Sequence, residues 1–231
     1  MVINEVLISL LSLLFPPFCI HCGRTCGFRS YLCFQCESAL IETDHFQLEN
    51  NSVKQRLNVR AHFESGAALY IFKKHTPIQR LIHHLKYKSN FRIAELLGQR
   101  FGRAYLNSTY LISADIIIPI PIHAKRLKKR GYNQSLLFAK GISKITNIPV
   151  VADALKTYRQ RVTQTQKSRM DRFENIKNSF KLVNESRLAD KCVLLVDDVM
   201  TTGATLEAAI ETLSKVSNIK IQIGLMALAE N

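Results

Sequence analysis

The stretch Val193-Leu-Leu-Val-Asp-Asp-Val-Met-Thr-Thr-Gly-Ala-Thr205 governs the reading of the whole chain. Four apolar residues in a row suit a strand buried on both faces of a parallel sheet. Asp197 and Asp198 then emerge at the carboxyl end of that strand, where open α/β sheets bind their ligands. Thr201, Thr202, Gly203, Ala204 and Thr205 lead on into a helix. Small residues there let backbone N–H groups approach a phosphate, the hydroxyls add donors, and the helix start favours negative charge. Two carboxylates aimed at phosphates would repel them. The pair makes chemical sense when it accepts hydrogen bonds from two neighbouring sugar hydroxyls, so local chemistry points to a ribose 5-phosphate group. The plainer reading is an acidic helix cap followed by a turn.

Outward from this stretch, strands alternate with helices. Ala114–Ile120 is a continuous apolar run led by an Asp, and Pro119 and Pro121 end it because proline cannot donate to a ladder. Pro77–Tyr87, Phe91–Leu106, Asn133–Ile145 and Ala204–Val216 read as helices from apolar spacing of three and four. Val59–Phe63 and Ala67–Phe72 read as two strands joined at Ser65-Gly66, Ile148–Val151 as a short strand, and Ile219–Ala229 as the last. Tyr158–Asn178 is polar, basic and aperiodic, the pattern of a long loop. This alternation predicts an α/β fold with a mostly parallel sheet and flanking helices over residues 46–231. Residues 1–45 form a separate cysteine-rich head.

The thirteen residues quoted above resemble the signature of type I phosphoribosyltransferases. By that resemblance Asp197 and Asp198 hold the ribose 2′- and 3′-hydroxyls, and Thr201, Thr202, Gly203, Ala204 and Thr205 cradle the 5-phosphate. The turn after the Pro-Ile-Pro strand, Ile122, His123, Ala124, Lys125, Arg126, Lys128, Lys129 and Arg130, resembles that family's pyrophosphate loop. Its five cations suit a diphosphate. The stretch around Arg161, Thr163, Gln166, Lys167 and Arg169, continuing to Arg172 and Asn175, resembles the hood that closes over substrate and excludes water. The ligand implied is 5-phosphoribosyl-1-pyrophosphate (PRPP), carried with Mg²⁺.

Charge adds a second theme. The formal net charge is +14, and Lys125–Lys181 holds 15 basic against 3 acidic residues. A small ligand needs only a few cations, so this surplus favours a polyanion such as single-stranded DNA. Tyr132, Tyr158 and Phe173 lie in the same region, where they could stack on bases. The bland alternative is a solvated face.

In the head, Cys19-Ile-His-Cys22 and Cys33-Phe-Gln-Cys36 are two CxxC pairs ten residues apart. Four thiolates on two tight turns suit a structural Zn²⁺ site. A redox pair and an iron–sulfur cluster are the rival readings, and Cys26 is a spare thiol. Cys192 reads as a small buried apolar residue. Val6–Phe15 is apolar but too short to span a bilayer and has no positive leader. The expectation is a buried helix, with room for peripheral membrane contact, in a cytoplasmic protein.

Taken in order, the apolar start ending in Pro-Pro, the CxxC head, Leu85-Lys-Tyr87, Pro-Ile-Pro with Arg-Gly-Tyr-Asn-Gln, Arg-Val-Thr-Gln-Thr-Gln and the Asp-Asp loop resemble the ComF/ComFC competence proteins, including GntX-like members. The resemblance implies a role in natural transformation, handling single-stranded DNA beside other DNA-uptake proteins. It names no phosphoribosyl acceptor, and the sequence holds no recognisable nucleobase-pocket motif or glutaminase domain. His83, His84 and His123 are acid–base candidates whose plainer role is packing, so no residue is assigned as catalytic. Two functions stand: a PRPP-binding module in DNA handling, and an active salvage transferase.

Overall fold

The computed structural model describes residues 17–27, 30–57, 61–88, 90–157 and 179–230. The expected N-terminal helix, and the hood residues Arg161, Thr163, Gln166, Lys167, Arg169, Arg172 and Asn175, lie outside the described residues, as do Tyr158 and Phe173.

Four strands make the central sheet: β1 (Ser65–Phe72), β2 (Ile116–Pro119), β5 (Cys192–Met200) and β6 (Lys220–Ala229). Their spatial order is β1-β6-β5-β2 and every pairing is parallel. Two shorter strands, β3 (Leu155–Thr157) and β4 (Phe180–Leu182), form a separate antiparallel ribbon on either side of residues 158–178. The expected strand at Ile148–Val151 is reduced to a single bridge, Val150 beside Ile117.

The apolar runs work as two-sided strands. Leu194, Val196 and Ile117 face one core, with Phe101 and Phe138 at its centre. Val193, Leu195, Ile116 and Ile118 face a second core under Leu206, Ile210 and Leu213. Successive side chains point to opposite faces, so a strand covered on both sides has no polar position to spare. That is why these segments do not alternate.

Helices α1 (Phe34–Ser38) and α2 (Ser52–Leu57) precede the sheet. Then come α3 (Pro77–Tyr87), α4 (Arg92–Leu106), α5 (Ala124–Arg130), α6 (Gln134–Thr146) and α7 (Ala204–Leu213). α4 and α6 cross at very close range. A Cβ on Gly98 would lie 2.2 Å from the Phe138 carbonyl oxygen, and one on Gly141 would lie 2.2 Å from that of Glu95. Only glycine at both positions permits this approach. It lets Phe101 pack edge-on against Phe138 and Phe46, at 5.4 and 5.2 Å between ring centroids.

Three expectations need correction. Ser65-Gly66 is no turn: both residues belong to β1, paired with Gln222 and Ile223, and residues 61–63 form no strand. A Cβ on Gly66 would press on Val53 at 2.8 Å, so this glycine serves close packing, not chain reversal. β5 does not end before the acidic pair but runs through it to Met200, because β6 pairs with it as far as Leu228. The basic stretch expected as a loop after β2 is helix α5.

Candidate functional site

The site is assembled where β5 reaches the edge of the core. Asp197 Oδ1 accepts hydrogen bonds from Ser135 Oγ and from the Asp198 N–H, each at 2.8 Å. Asp198 Oδ1 accepts from the Val199 N–H at 2.6 Å, and its Oδ2 pairs with Lys86 Nζ at 2.8 Å. Burial, and then the neighbouring Asp198 charge, push Asp197 up to about 7. Its bonds from the Asp198 N–H and Ser135, and the Lys86 charge, only partly offset this. The two adjacent carboxylates of β5 thus share one lysine, supplied by helix α3.

A cleft of about 420 Å³ opens over the pair. Thr201 and Thr205 line one part of it, and Ile122, His123, Arg126 and Arg130 another. His83, Lys86 and Tyr87 of α3 line it as well. Gly203 turns the chain between Thr201 and Thr205 with φ 85° and caps the start of α7. A Cβ there would meet Leu57 Cδ2 at 2.7 Å, so both backbone and space require glycine. Thr202, Gly203 and Ala204 complete this turn without lining the cleft.

α5 has no buried residue, and its end groups hold it in place. His123 Nδ1 accepts from the Lys125 N–H at 3.2 Å at one end. At the other, Gly131 takes a left-handed conformation at φ 81° and donates to the Leu127 carbonyl at 2.7 Å. Residues four apart share a helix face, so Arg126 and Arg130 meet the cleft together. Lys125, Lys128 and Lys129 are exposed and outside it, and Ala124 opens the helix at the surface. The next turn is fixed from below: Asn133 donates to the Ile120 carbonyl at 3.0 Å, and the Tyr132 hydroxyl donates to the Leu85 carbonyl.

Of the three histidines, His83 and His123 line the cleft and His84 does not. Lys86 and Ser135 are site residues that carried no assignment from sequence. Each reaches the carboxylates from an element distant in the chain, Ser135 across 62 residues. The signal available was that both sit in short motifs, Leu85-Lys-Tyr87 and Tyr132-Asn-Gln-Ser135.

In the head, the sulfurs of Cys19, Cys22, Cys33 and Cys36 all lie within 4.8 Å of one another, and those of Cys22 and Cys33 are 3.6 Å apart. A tetrahedral Zn²⁺ with bonds of about 2.3 Å needs sulfurs about 3.8 Å apart. The four cysteines could therefore hold a metal ion with small adjustments. At Cys19 burial disfavours the thiolate, but hydrogen bonds from the backbone of Cys22, Cys33 and His21 outweigh it and lower the thiol to about 6. Cys26 is turned away: its thiol lies 3.4 and 3.3 Å from the carbonyls of Pro17 and Ser30. Cys192 is buried, 3.1 Å from Gln222 Nε2. Glu37, beside Cys36, pairs with Arg100 of α4 and ties the head to the body. Among the described residues no helix is long and apolar enough to cross a membrane.

A four-stranded parallel sheet, with a carboxylate pair and a threonine-lined helix start at the carboxyl end of β5, defines a type I phosphoribosyltransferase-like domain. The family model for the phosphoribosyl transferase domain matches residues 132–231. Competence protein F of Haemophilus influenzae is 28% identical over 217 residues, covering 92% of this chain and 85% of that protein. The DNA utilization protein YhgH of Escherichia coli O157:H7 is 31% identical over 150 residues, 64% of this chain and 65% of that one, a little under two thirds of its length. Competence protein ComFC of Bacillus subtilis is 22% identical over 133 residues, 57% of this chain and 51% of that protein. The chain is thus similar to the competence proteins F and ComFC and to YhgH, and it carries a phosphoribosyltransferase-like domain.

Proposed function

We propose that the cleft binds a ribose 5-phosphate group in the form of PRPP, and that the chain serves natural transformation by handling single-stranded DNA in the cytoplasm. One observation carries the ligand: a carboxylate pair, a threonine-lined helix start and two arginines share a single cleft. In this reading Asp197 and Asp198 accept from the ribose hydroxyls. Thr201, Thr205 and the N–H groups of residues 202–204 take the 5-phosphate, and Arg126 and Arg130 take the diphosphate. Lys86 keeps the acidic floor from repelling an anionic sugar. The carboxylates are the hard oxygen donors that suit Mg²⁺, which would neutralise the diphosphate when bound. The DNA role is supported by the relatives' names and by the exposed lysines of α5. Zn²⁺ in the four-cysteine site would hold the head in shape, since such a closed set of thiolates leaves no open coordination position.

The test is calorimetry with PRPP and Mg²⁺. Wild type should bind, and Asp197→Ala/Asp198→Ala should fold normally and bind no PRPP. Unchanged affinity in the double variant would remove the carboxylates from the site. A pyrophosphate-release assay with nucleobases, ammonia and single-stranded DNA distinguishes a binding module, which releases none, from a transferase.

A further inference from the structure

We propose that Gln134 is a specificity-determining residue of the cleft: its side-chain oxygen positions Arg130, and its side-chain NH2 donates to an oxygen of the diphosphate. The inference rests on the proposed PRPP reading and adds to it a residue that selects for the placement of an oxygen.

Gln134 opens α6 and lines the cleft, yet it is only 2% exposed. Glutamine ordinarily reaches water. Its two neighbours in the turn each hold a different part of the site. Asn133 donates to the Ile120 carbonyl just beyond β2, and Ser135 donates to Asp197. Gln134 stands between them, and its Oε1 accepts from Arg130 Nη1 at 3.2 Å. A guanidinium has only N–H groups to offer, so the amide must turn its oxygen toward Arg130. The NH2 is thereby directed elsewhere. That nitrogen is shut off from solvent and has no hydrogen-bond partner among the described residues.

A buried donor left unpaired carries its full desolvation penalty, so such groups call for an explanation. An amide whose oxygen is fixed and whose NH2 is unanswered suits an acceptor that arrives with the ligand. The neighbours define that acceptor. Arg126 and Arg130 line the same cleft, so an anionic oxygen is drawn to this side of it. In the PRPP reading that oxygen belongs to the diphosphate. The carboxamide brings donors without adding charge. It therefore rewards an oxygen in one place, whereas the arginines attract any anion. The competing partner is a water molecule, which would answer the NH2 with or without ligand.

The test compares wild type with Gln134→Met, which keeps the length of the side chain and removes both polar atoms. Calorimetry in the presence of Mg²⁺ uses pyrophosphate and ribose 5-phosphate as separate probes. Gln134→Met should weaken pyrophosphate by roughly tenfold and leave ribose 5-phosphate unchanged. Its melting temperature without ligand should match or exceed that of wild type, because the unpaired donor is gone. A purely structural glutamine would instead lower the melting temperature and weaken both probes alike, and that result overturns the inference. A second measurement needs no stable Met variant. In the NMR spectrum of isotope-labelled wild type, the Gln134 side-chain NH2 signals are assigned by their loss in Gln134→Glu. They should shift on adding pyrophosphate and stay in place with ribose 5-phosphate. Unaltered pyrophosphate affinity in Gln134→Met, or NH2 signals that pyrophosphate does not move, overturns the inference and leaves the amide to water. Calorimetry of wild type with ribose 5-phosphate reports on the cleft itself, so failure of the underlying reading is seen separately.

Discussion

Asp197 is the residue at which structure and chemistry meet most sharply. Its folded-state pKa of about 7 lies above the ordinary carboxylate value, so the folded chain holds this proton more tightly than the unfolded chain does. Stability is therefore lost as pH rises through the window from about 4 to about 7, and it levels off above that. Asp197→Asn keeps an oxygen to accept from Ser135 and from the Asp198 N–H but removes the charge. Its melting temperature should exceed that of wild type by a margin that widens from pH 5 to pH 8. For a chain of this size each kcal/mol is worth about 2–4 °C. Calorimetric scans at the two pH values check this, and a margin independent of pH would mean that Asp197 titrates like a surface carboxylate. The pair itself was legible in the sequence, because two acids directly after a buried strand have few other uses. Its partners were not. Lys86 and Ser135 are ordinary polar residues until the fold brings them to the carboxylates.

At the scale of the element, α5 divides a charge run into two faces. Sequence alone gives five cations without an order among them, because Lys-Arg-Leu-Lys-Lys-Arg has no apolar period and reads as a loop. The helix is made by its caps, His123 and Gly131, and only then do Arg126 and Arg130 fall on one side. The two faces should separate in solution. Arg126→Ala and Arg130→Ala should each weaken PRPP binding by about tenfold or more, as expected for losing a charge-assisted hydrogen bond. Lys128→Glu/Lys129→Glu should leave PRPP binding alone and weaken single-stranded DNA. Removing each lysine should also reduce the log–log salt slope by about 0.7. Fluorescence anisotropy with a labelled oligonucleotide at several salt concentrations measures both quantities. If the lysine variant lost PRPP and kept DNA, the assignment of the faces would be reversed. The strands show the same contrast in legibility. β2 and β5 were readable because burial on both faces leaves a continuous apolar run. β1 was misread at its start because Ser65-Gly66 looks like a turn, whereas Gly66 is small to admit Val53 and Ile223.

Across the whole molecule, a four-cysteine head is fastened to a phosphoribosyltransferase-like body. The fastening runs through Glu37 to Arg100, whose other contact is the Tyr70 hydroxyl at 2.9 Å in β1. The CxxC spacing made the head legible, while its orientation on α4 depends on contacts between residues more than sixty positions apart. If Zn²⁺ fills the site, metal binding and folding of the head are one equilibrium. Cys19→Ser or Cys33→Ser should then lose the metal and unfold the head, and metal analysis of wild type should give one zinc per chain. Iron with visible absorption, or no metal at all, would contradict this. The body's central claim is that the carboxylates hold a ribose and the threonine loop its 5-phosphate. The most direct measurement is a crystal structure of the wild-type chain with PRPP and Mg²⁺. The ribose hydroxyls should lie within hydrogen-bonding distance of Asp197 and Asp198, with the 5-phosphate on the turn from Thr201 to Thr205. Ligand bound away from this cleft, or bound with its phosphate remote from that turn, would contradict the account.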